Sequence, residues 1–360
     1  MHVVLLYFWL SVLYALGFTV QLVAFPFILN EILQKTVSPL SHASAFGIAM
    51  AAYPTLKALG APVWGFLSDR AGRRRMLIYT LIGTILCTTL TPFCQSVCSL
   101  VLCRAILGLF AANGALLQCY ATDIAQTTSK PQTEVSSLVS LYGSAWGLAY
   151  VVQAGFAVLA ENVLRPHMSA QSLQSLPFFV ASVCFQLSLF LLLCMPACSA
   201  AATSSTPLSP TEFFAAFRGS FAHPLLIGLL VASLATPSTD VFQLVLATHA
   251  QSVTVVYSVS FMIGAWCSLL LPFTPWLVRL RSCCTHRTIA ASMSVMAGVV
   301  LGVMPFAASV ALSSFYVVIL LKAVAFATLE PSQTVVLNSL APVGALGAFT
   351  GWQHFVRGLS

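Results

Sequence analysis

The chain has 360 residues, of which 59% are hydrophobic and only 6% charged, with a formal net charge of +7. A water-soluble globule carries about 25% charged residues to coat its surface, so this composition excludes a soluble enzyme and leaves a chain solvated by lipid. Most of the bases lie in short segments between apolar runs, not in a basic arm or patch, which excludes nucleic acid as a partner and points to the lipid bilayer with its anionic leaflet.

A helix needs about 20 apolar residues to cross the hydrocarbon core, and it satisfies its own backbone hydrogen bonds there. Apolar runs predict spanning helices at 3–29, 43–67, 76–96, 98–122, 136–160 and 176–196. Further spans are predicted at 222–247, 253–277, 289–310 and 314–338. An eleventh begins near 341 and is interrupted by Gln353, His354 and Arg357. The first run has no cationic leader and no small-residue cleavage site, and reads as a span rather than a removable signal. The longest connection follows the sixth span, and its stretch Ser199 to Ser209 is rich in Ala, Ser, Thr and Pro, as a flexible linker is. The expected organisation is an N-terminal six-helix bundle (1–197), a cytoplasmic linker (198–221) and an incomplete C-terminal bundle (222–360).

Lys and Arg set the orientation. With the N-terminus in the cytoplasm, inner loops hold Arg70, Arg73, Arg74, Arg75, Lys130, Arg218, Arg279, Arg281 and Arg287, while outer loops hold only Lys35 and Arg165. This is a positive-inside bias. The remaining bases, Lys57, Arg104, Lys322 and Arg357, fall within spans. An ionisable group at that depth costs about 2.5 kcal/mol or more unless paired or hydrated, so such groups face a cavity or one another. Asp240 in the seventh span and Glu330 in the tenth are the acids available to them. Gln21 is a polar residue of the first span that either lines a cavity or packs against a neighbouring helix.

Of the eleven cysteines, Cys87, Cys103, Cys119, Cys184, Cys194 and Cys267 lie inside apolar runs, where they pack as small hydrophobes. The seven histidines are scattered. Nothing converges into a metal or catalytic site, so no metal, no cofactor and no enzymatic activity are expected. No ATP-binding loop is present either.

An internal repeat accompanies the spans. Leu102-Cys103-Arg104-Ala105-Ile106 in the fourth span lies 218 residues before Leu320-Leu321-Lys322-Ala323-Val324 in the tenth. Each puts one base at the same depth of an apolar helix. The same offset sets the first span on the seventh and the third on the ninth, as two parallel halves of six spans would.

The loop after the second span reads Gly65-Phe66-Leu67-Ser68-Asp69-Arg70-Ala71-Gly72-Arg73-Arg74-Arg75. It closely resembles the signature loop of the major facilitator superfamily, Gly-x-Leu-x-Asp-Arg-x-Gly-Arg-Arg, which joins those two helices on the cytoplasmic side. Gly65 allows close helix approach, Gly72 can adopt φ > 0, and Asp69 can accept hydrogen bonds from an arginine and a helix N-terminus. The resemblance implies that Asp69, with Arg70, Arg73 and Arg74 around it, clasps the two halves at the inner face. Its partner would be the start of the eleventh span, near Val343 to Ala345. Arg104-x-x-x-Gly108 resembles the family's second motif, whose Arg is implicated in proton coupling. Tyr120-Ala121-Thr122-Asp123-Ile124, followed by Glu134 and the fifth span, resembles drug–proton antiporters of the tetracycline-efflux and zinc-induced-facilitator kind. In those proteins the fifth span carries a glycine-rich bend, and this chain has Gly143 and Gly147 in that span. Gln153-Ala154-Gly155-Phe156-Ala157 then departs from the bend, which keeps antiport in question.

The fold implied is an all-α membrane protein of the major facilitator type, with two six-helix halves and a chain ending in the eleventh span. Arg104, Lys322, Asp240, Glu330, Lys57 and Gln21 are the candidate cavity residues. The function implied is secondary transport of a small-molecule substrate by alternating access, with protons as a candidate driving ion. The competing reading is a transporter-like receptor or scaffold that moves nothing. A monomer is expected, integral to a membrane that the sequence does not specify.

Overall fold

In the computed structural model, residues 2–35, 42–126, 131–164, 166–195, 341 and 346–358 are described. The linker, the seventh to tenth spans and the candidates Asp240, Lys322 and Glu330 lie outside the described residues.

Among the described residues every regular element is helical. The order is α1 (His2–Lys35), α2 (His42–Ala71), α3 (Arg73–Leu90), α4 (Val97–Phe110), α5 (Asn113–Gln126), α6 (Pro131–Leu159), α7 (Ala170–Cys194) and α8 (Leu346–Gly358). A single 3₁₀ turn, Thr91–Phe93, follows α3, and a π-helical turn, Ala160–Leu164, ends α6. The chain forms two compact units. One comprises 1–120, 159–204 and 346–359, and the other comprises 121–158, 205–345 and Ser360.

In the first unit α1 packs on α7, α3 on α4 and α7, and α2 on both α4 and α8. Its core includes Phe25, Ile28, Leu29, Ile32, Leu100 and Phe178. The polarity is that of a lipid-solvated bundle. Leu86, Leu90, Phe93, Leu102 and Phe190 are between 57% and 65% exposed, while Gln21, Thr80, Thr84, Thr88, Arg104, Asn113 and Ser188 are buried. Apolar side chains outside cost nothing in hydrocarbon, and polar ones inside find partners. Among the described residues four stretches, Val3–Gln21, Arg73–Phe93, Val97–Ala125 and Ser172–Cys194, are long and apolar enough to cross a membrane.

The expected span at 98–122 is present as Val97–Ala125, with its helix interrupted by a turn at 111–112 next to Asn113. The Asn113 side-chain amide donates to Thr84 Oγ1 at 3.1 Å, and Thr80 Oγ1 donates to its Oδ1 at 2.5 Å. Those bonds fix a fully buried polar residue against α3. The chain turns at Ala111, whose N–H reaches back only three residues, to Gly108 O at 3.0 Å. At the other end α2 runs past the expected limit of its span and carries Asp69 within its last turn. Gly72 stops it with φ +94°, the one positive φ among the described residues, which only glycine adopts without a steric cost. Cys94 and Cys98 carry free thiols.

Candidate functional site: an aspartate clasp and a buried arginine

The first amides of a helix have no acceptor within it and need one from outside. For α8 that acceptor is Asp69. Gly347 N–H donates to Asp69 Oδ1 and Ala348 N–H to Asp69 Oδ2, each at 2.8 Å. Arg73 pairs with Oδ1 at 3.1 Å. The carboxylate therefore neutralises a helix N-terminus and an arginine together, and both attractions favour its charged form. Burial outweighs them and raises the Asp69 carboxyl above its ordinary range. The partner amides lie at Gly347 and Ala348, a few residues beyond the expected Val343 to Ala345. Among the described residues this helix runs from Leu346, and both amides lie in its first turn.

Small residues make the clasp reachable. A Cβ on Gly65 would overlap the Gly347 carbonyl oxygen, and one on Gly351 would overlap the Ala61 carbonyl oxygen. Ala61-x-x-x-Gly65 of α2 thus lies on Gly347-x-x-x-Gly351 of α8 in antiparallel register, a small-residue crossing of the kind that holds membrane helices backbone to backbone. Around the clasp, Ser68 Oγ donates to Gly65 O at 2.6 Å, and the Arg70 guanidinium lies 4.2 Å from the Phe66 ring centroid. Arg74 donates to Leu192 O at 3.3 Å and to Leu193 O at 2.7 Å, carbonyls of the last turn of α7.

The second constellation surrounds Arg104. Its residue is 6% exposed, and its guanidinium carbon lies 3.7 Å from the centroid of the Phe25 ring and 5.2 Å from that of Tyr53. Its Nε has no hydrogen-bond partner. Lys57 Nζ lies 5.8 Å from both the Phe18 and Tyr53 ring centroids. Tyr53 is thus common to both cations. Gly108 brings them together: a Cβ there would strike the Tyr53 carbonyl oxygen and approach Lys57 N to 3.1 Å. The Arg104-x-x-x-Gly108 spacing sets the glycine where α4 touches α2, one turn beyond the arginine it positions.

The other candidates sit elsewhere. Gln21 is buried and accepts from Thr88 Oγ1 of α3 at 3.3 Å, a tie between helices. Asp123 is buried on α5 and Gly143 lies on α6 with open space around it, both in the second unit. Gly147 also lies on α6. Along that helix Tyr142, Trp146 and Tyr150 form a ladder with successive ring centroids 6.2 Å apart. Sequence reasoning did not single out Phe18, Phe25 and Tyr53. Their signal was spacing, since Tyr53 stands one turn before Lys57. It also passed over the Gly347-x-x-x-Gly351 pattern, which was readable as it stands.

An apolar exterior, a polar interior and helices of spanning length define an integral multi-pass membrane protein. The profile of the Major Facilitator Superfamily matches residues 7–360, and the chain belongs to that superfamily. Among curated proteins it is similar to the class H tetracycline resistance protein of Pasteurella multocida, 28% identical over 182 residues, 51% of this chain and 41% of that one. It is 31% identical to the class B tetracycline resistance protein of Escherichia coli over 159 residues, 43% of this chain and 35% of that one. It is 28% identical to the staphyloferrin B transporter of Staphylococcus aureus over 162 residues, 43% of this chain and 38% of that one. The chain thus spans less than half the length of each of these relatives. The fold is that of the human organic anion transporter MFSD10 (TM-score 0.70, 17% identity, covering 99% of this chain and 90% of that one). It is likewise that of the proton:xylose symporter XylE (TM-score 0.71, 15% identity, covering 99% and 85%).

Proposed function

We propose that the protein is a secondary transporter that moves a small organic solute across a membrane by alternating access. The observation that carries the proposal is the Asp69 clasp. It joins a loop of the N-terminal bundle to a helix 278 residues further along the chain through polar contacts that can be released and remade. Alternating access requires such a contact, strong enough to hold one state and weak enough to open. The names of the relatives, covering tetracycline resistance, staphyloferrin and organic anions, support an organic solute.

In this reading Arg104 belongs to the solute and coupling pathway. Lys322 would be its counterpart in the second half, with Asp240 and Glu330 as exchangeable carboxylates and Lys57 as a neighbouring cation. Protons are the proposed driving ion, the clasp lies on the cytoplasmic side, and the working unit is a monomer. Asp123, Gly143 and Gly147 support the helix that follows the clasp bundle.

The test is flux. Purified protein is reconstituted in liposomes, a pH gradient is imposed, and labelled tetracycline and a panel of organic anions, cations and sugars are followed. Solute movement above empty liposomes, dissipated when the gradient collapses, is expected. Folded, correctly inserted protein that moves none of them would leave the receptor or scaffold reading in its place.

A further inference from the structure

Resting on the transport reading, we infer that the solute is an organic anion with a flat apolar body, its anionic group bound by Arg104 beside Lys57 and its body lying against Phe18, Phe25 and Tyr53. Four observations carry this. Arg104 is buried, and its Nε N–H has no acceptor. Among the described residues no hydrogen bond or ion pair to its guanidinium is found; the Phe25 and Tyr53 ring faces lie against it, with Cys103 as a titratable neighbour. The ion pairs found are Lys35 with Glu31 and Arg73 with Asp69, so neither of those acids is committed to it. A second cation shares the Tyr53 ring.

Ring faces attract a cation through their quadrupole, but they accept no strong hydrogen bond from it and bring no countercharge. A buried guanidinium with an open N–H is a donor waiting for an anionic acceptor, and its planar fork matches a carboxylate or sulfonate. The composition of the spans argues the same way. They hold four bases, Lys57, Arg104, Lys322 and Arg357, against three acids, Asp123, Asp240 and Glu330. If each acid neutralises one base, positive charge still remains inside the bilayer, where it is costly. A mobile anion removes that cost in the loaded state. The three rings supply the apolar wall that selects an aromatic or similarly flat body over a small inorganic ion.

Three probes that share a phenyl ring and differ in charge decide the matter: benzenesulfonate, phenyltrimethylammonium and phenyl β-glucoside. Binding is read in detergent as a shift of the thermal unfolding curve, and transport as counterflow in liposomes. Benzenesulfonate alone is expected to stabilise the wild-type protein. Its half-saturating concentration should rise about ten- to a hundredfold in Arg104→Gln, as loss of a charge-assisted bond requires. It should rise less in Arg104→Lys, and in the same direction in Lys57→Gln. Should Arg104→Gln fail to fold, Lys57→Gln and Phe25→Leu carry the comparison. The inference is overturned if none of the probes binds, if the cation or the glucoside binds in preference, or if the sulfonate affinity ignores these substitutions. The two levels separate cleanly. Sulfonate binding without counterflow keeps the anion site and removes transport. Counterflow of the cation or glucoside keeps transport and removes the anion.

Discussion

Replacing Asp69 by Asn leaves size and shape almost unchanged and removes the charge, so it isolates the clasp. The wild-type carboxylate offers an acceptor oxygen to each of Gly347 N–H and Ala348 N–H. An asparagine has one acceptor oxygen and one NH₂ group, and that group would face the second amide donor to donor. One charge-assisted bond is then lost, about 1.5–3 kcal/mol, together with about 0.3–1 kcal/mol of attraction to the helix N-terminus. A total of about 2–4 kcal/mol lost from the closed state multiplies its opening about 30- to 800-fold at 1.36 kcal/mol per decade. Amide exchange reads this directly, because these two N–H groups lie in the first turn of α8 and are held by Asp69. Hydrogen–deuterium exchange by mass spectrometry on peptides covering 346–350 should show the acceleration at Gly347 and Ala348. Amides past Thr350, bonded within the helix, should respond far less. An acceleration below threefold at Gly347 and Ala348 would show that Asp69 does not hold α8, and the reasoning would fail.

Other substitutions probe the packing behind both constellations. Gly351→Leu drives a side chain into the Ala61 backbone, so overpacking should cost about 1–3 kcal/mol; an unchanged thermal midpoint would show that the α2–α8 crossing is not tight. Gly108→Val should cost a similar amount by striking the Tyr53 carbonyl oxygen. Wild-type stability would contradict the close α2–α4 contact. Asn113→Ala removes the buried bonds that join it to Thr80 and Thr84, with an expected loss of about 1–3 kcal/mol; urea or thermal unfolding indistinguishable from wild type would mean that these bonds do not hold α5 to α3.

Membrane helices were legible because lipid imposes a length and a polarity that few residues can meet. The runs that became α1, α3, α4 with α5, and α7 announce themselves by hydropathy alone. The Asp69 loop was legible because a glycine turn, an acid and clustered arginines have few other uses in one short segment. What stayed hidden is whatever depends on which faces meet. Arg104 was visible as a buried base, yet its ring partners Phe25 and Tyr53 come from two other helices, and among 25 phenylalanines and 9 tyrosines no local signal marks them. The turn at 111–112 was hidden for the same reason. Asn113 is an ordinary polar residue until Thr80 and Thr84 of α3 stand opposite it. Gln21, a candidate for the cavity, is taken up by Thr88, and hydropathy cannot distinguish a polar group facing a neighbour from one facing a ligand.

One row of residues on α2 ties the two constellations together. Tyr53, Lys57, Ala61, Gly65 and Asp69 recur at every fourth position, the i±4 ridge along which helices interdigitate. The ridge advances about 40° per step at 3.6 residues per turn and covers about 24 Å from Tyr53 to Asp69. That drift explains how a single row serves two neighbours. Its first members meet Gly108 of α4, and its last meet Gly347 and Gly351 of α8. A rigid α2 could not release Asp69 from α8 without also moving Tyr53 and Lys57 against Arg104. Pro54 and Pro62 lie inside this helix, and each removes a backbone donor from the ladder. Pro62 lies at the start of the α8 contact, against Gly351, where a bend would shift that end of α2 relative to the Tyr53 end.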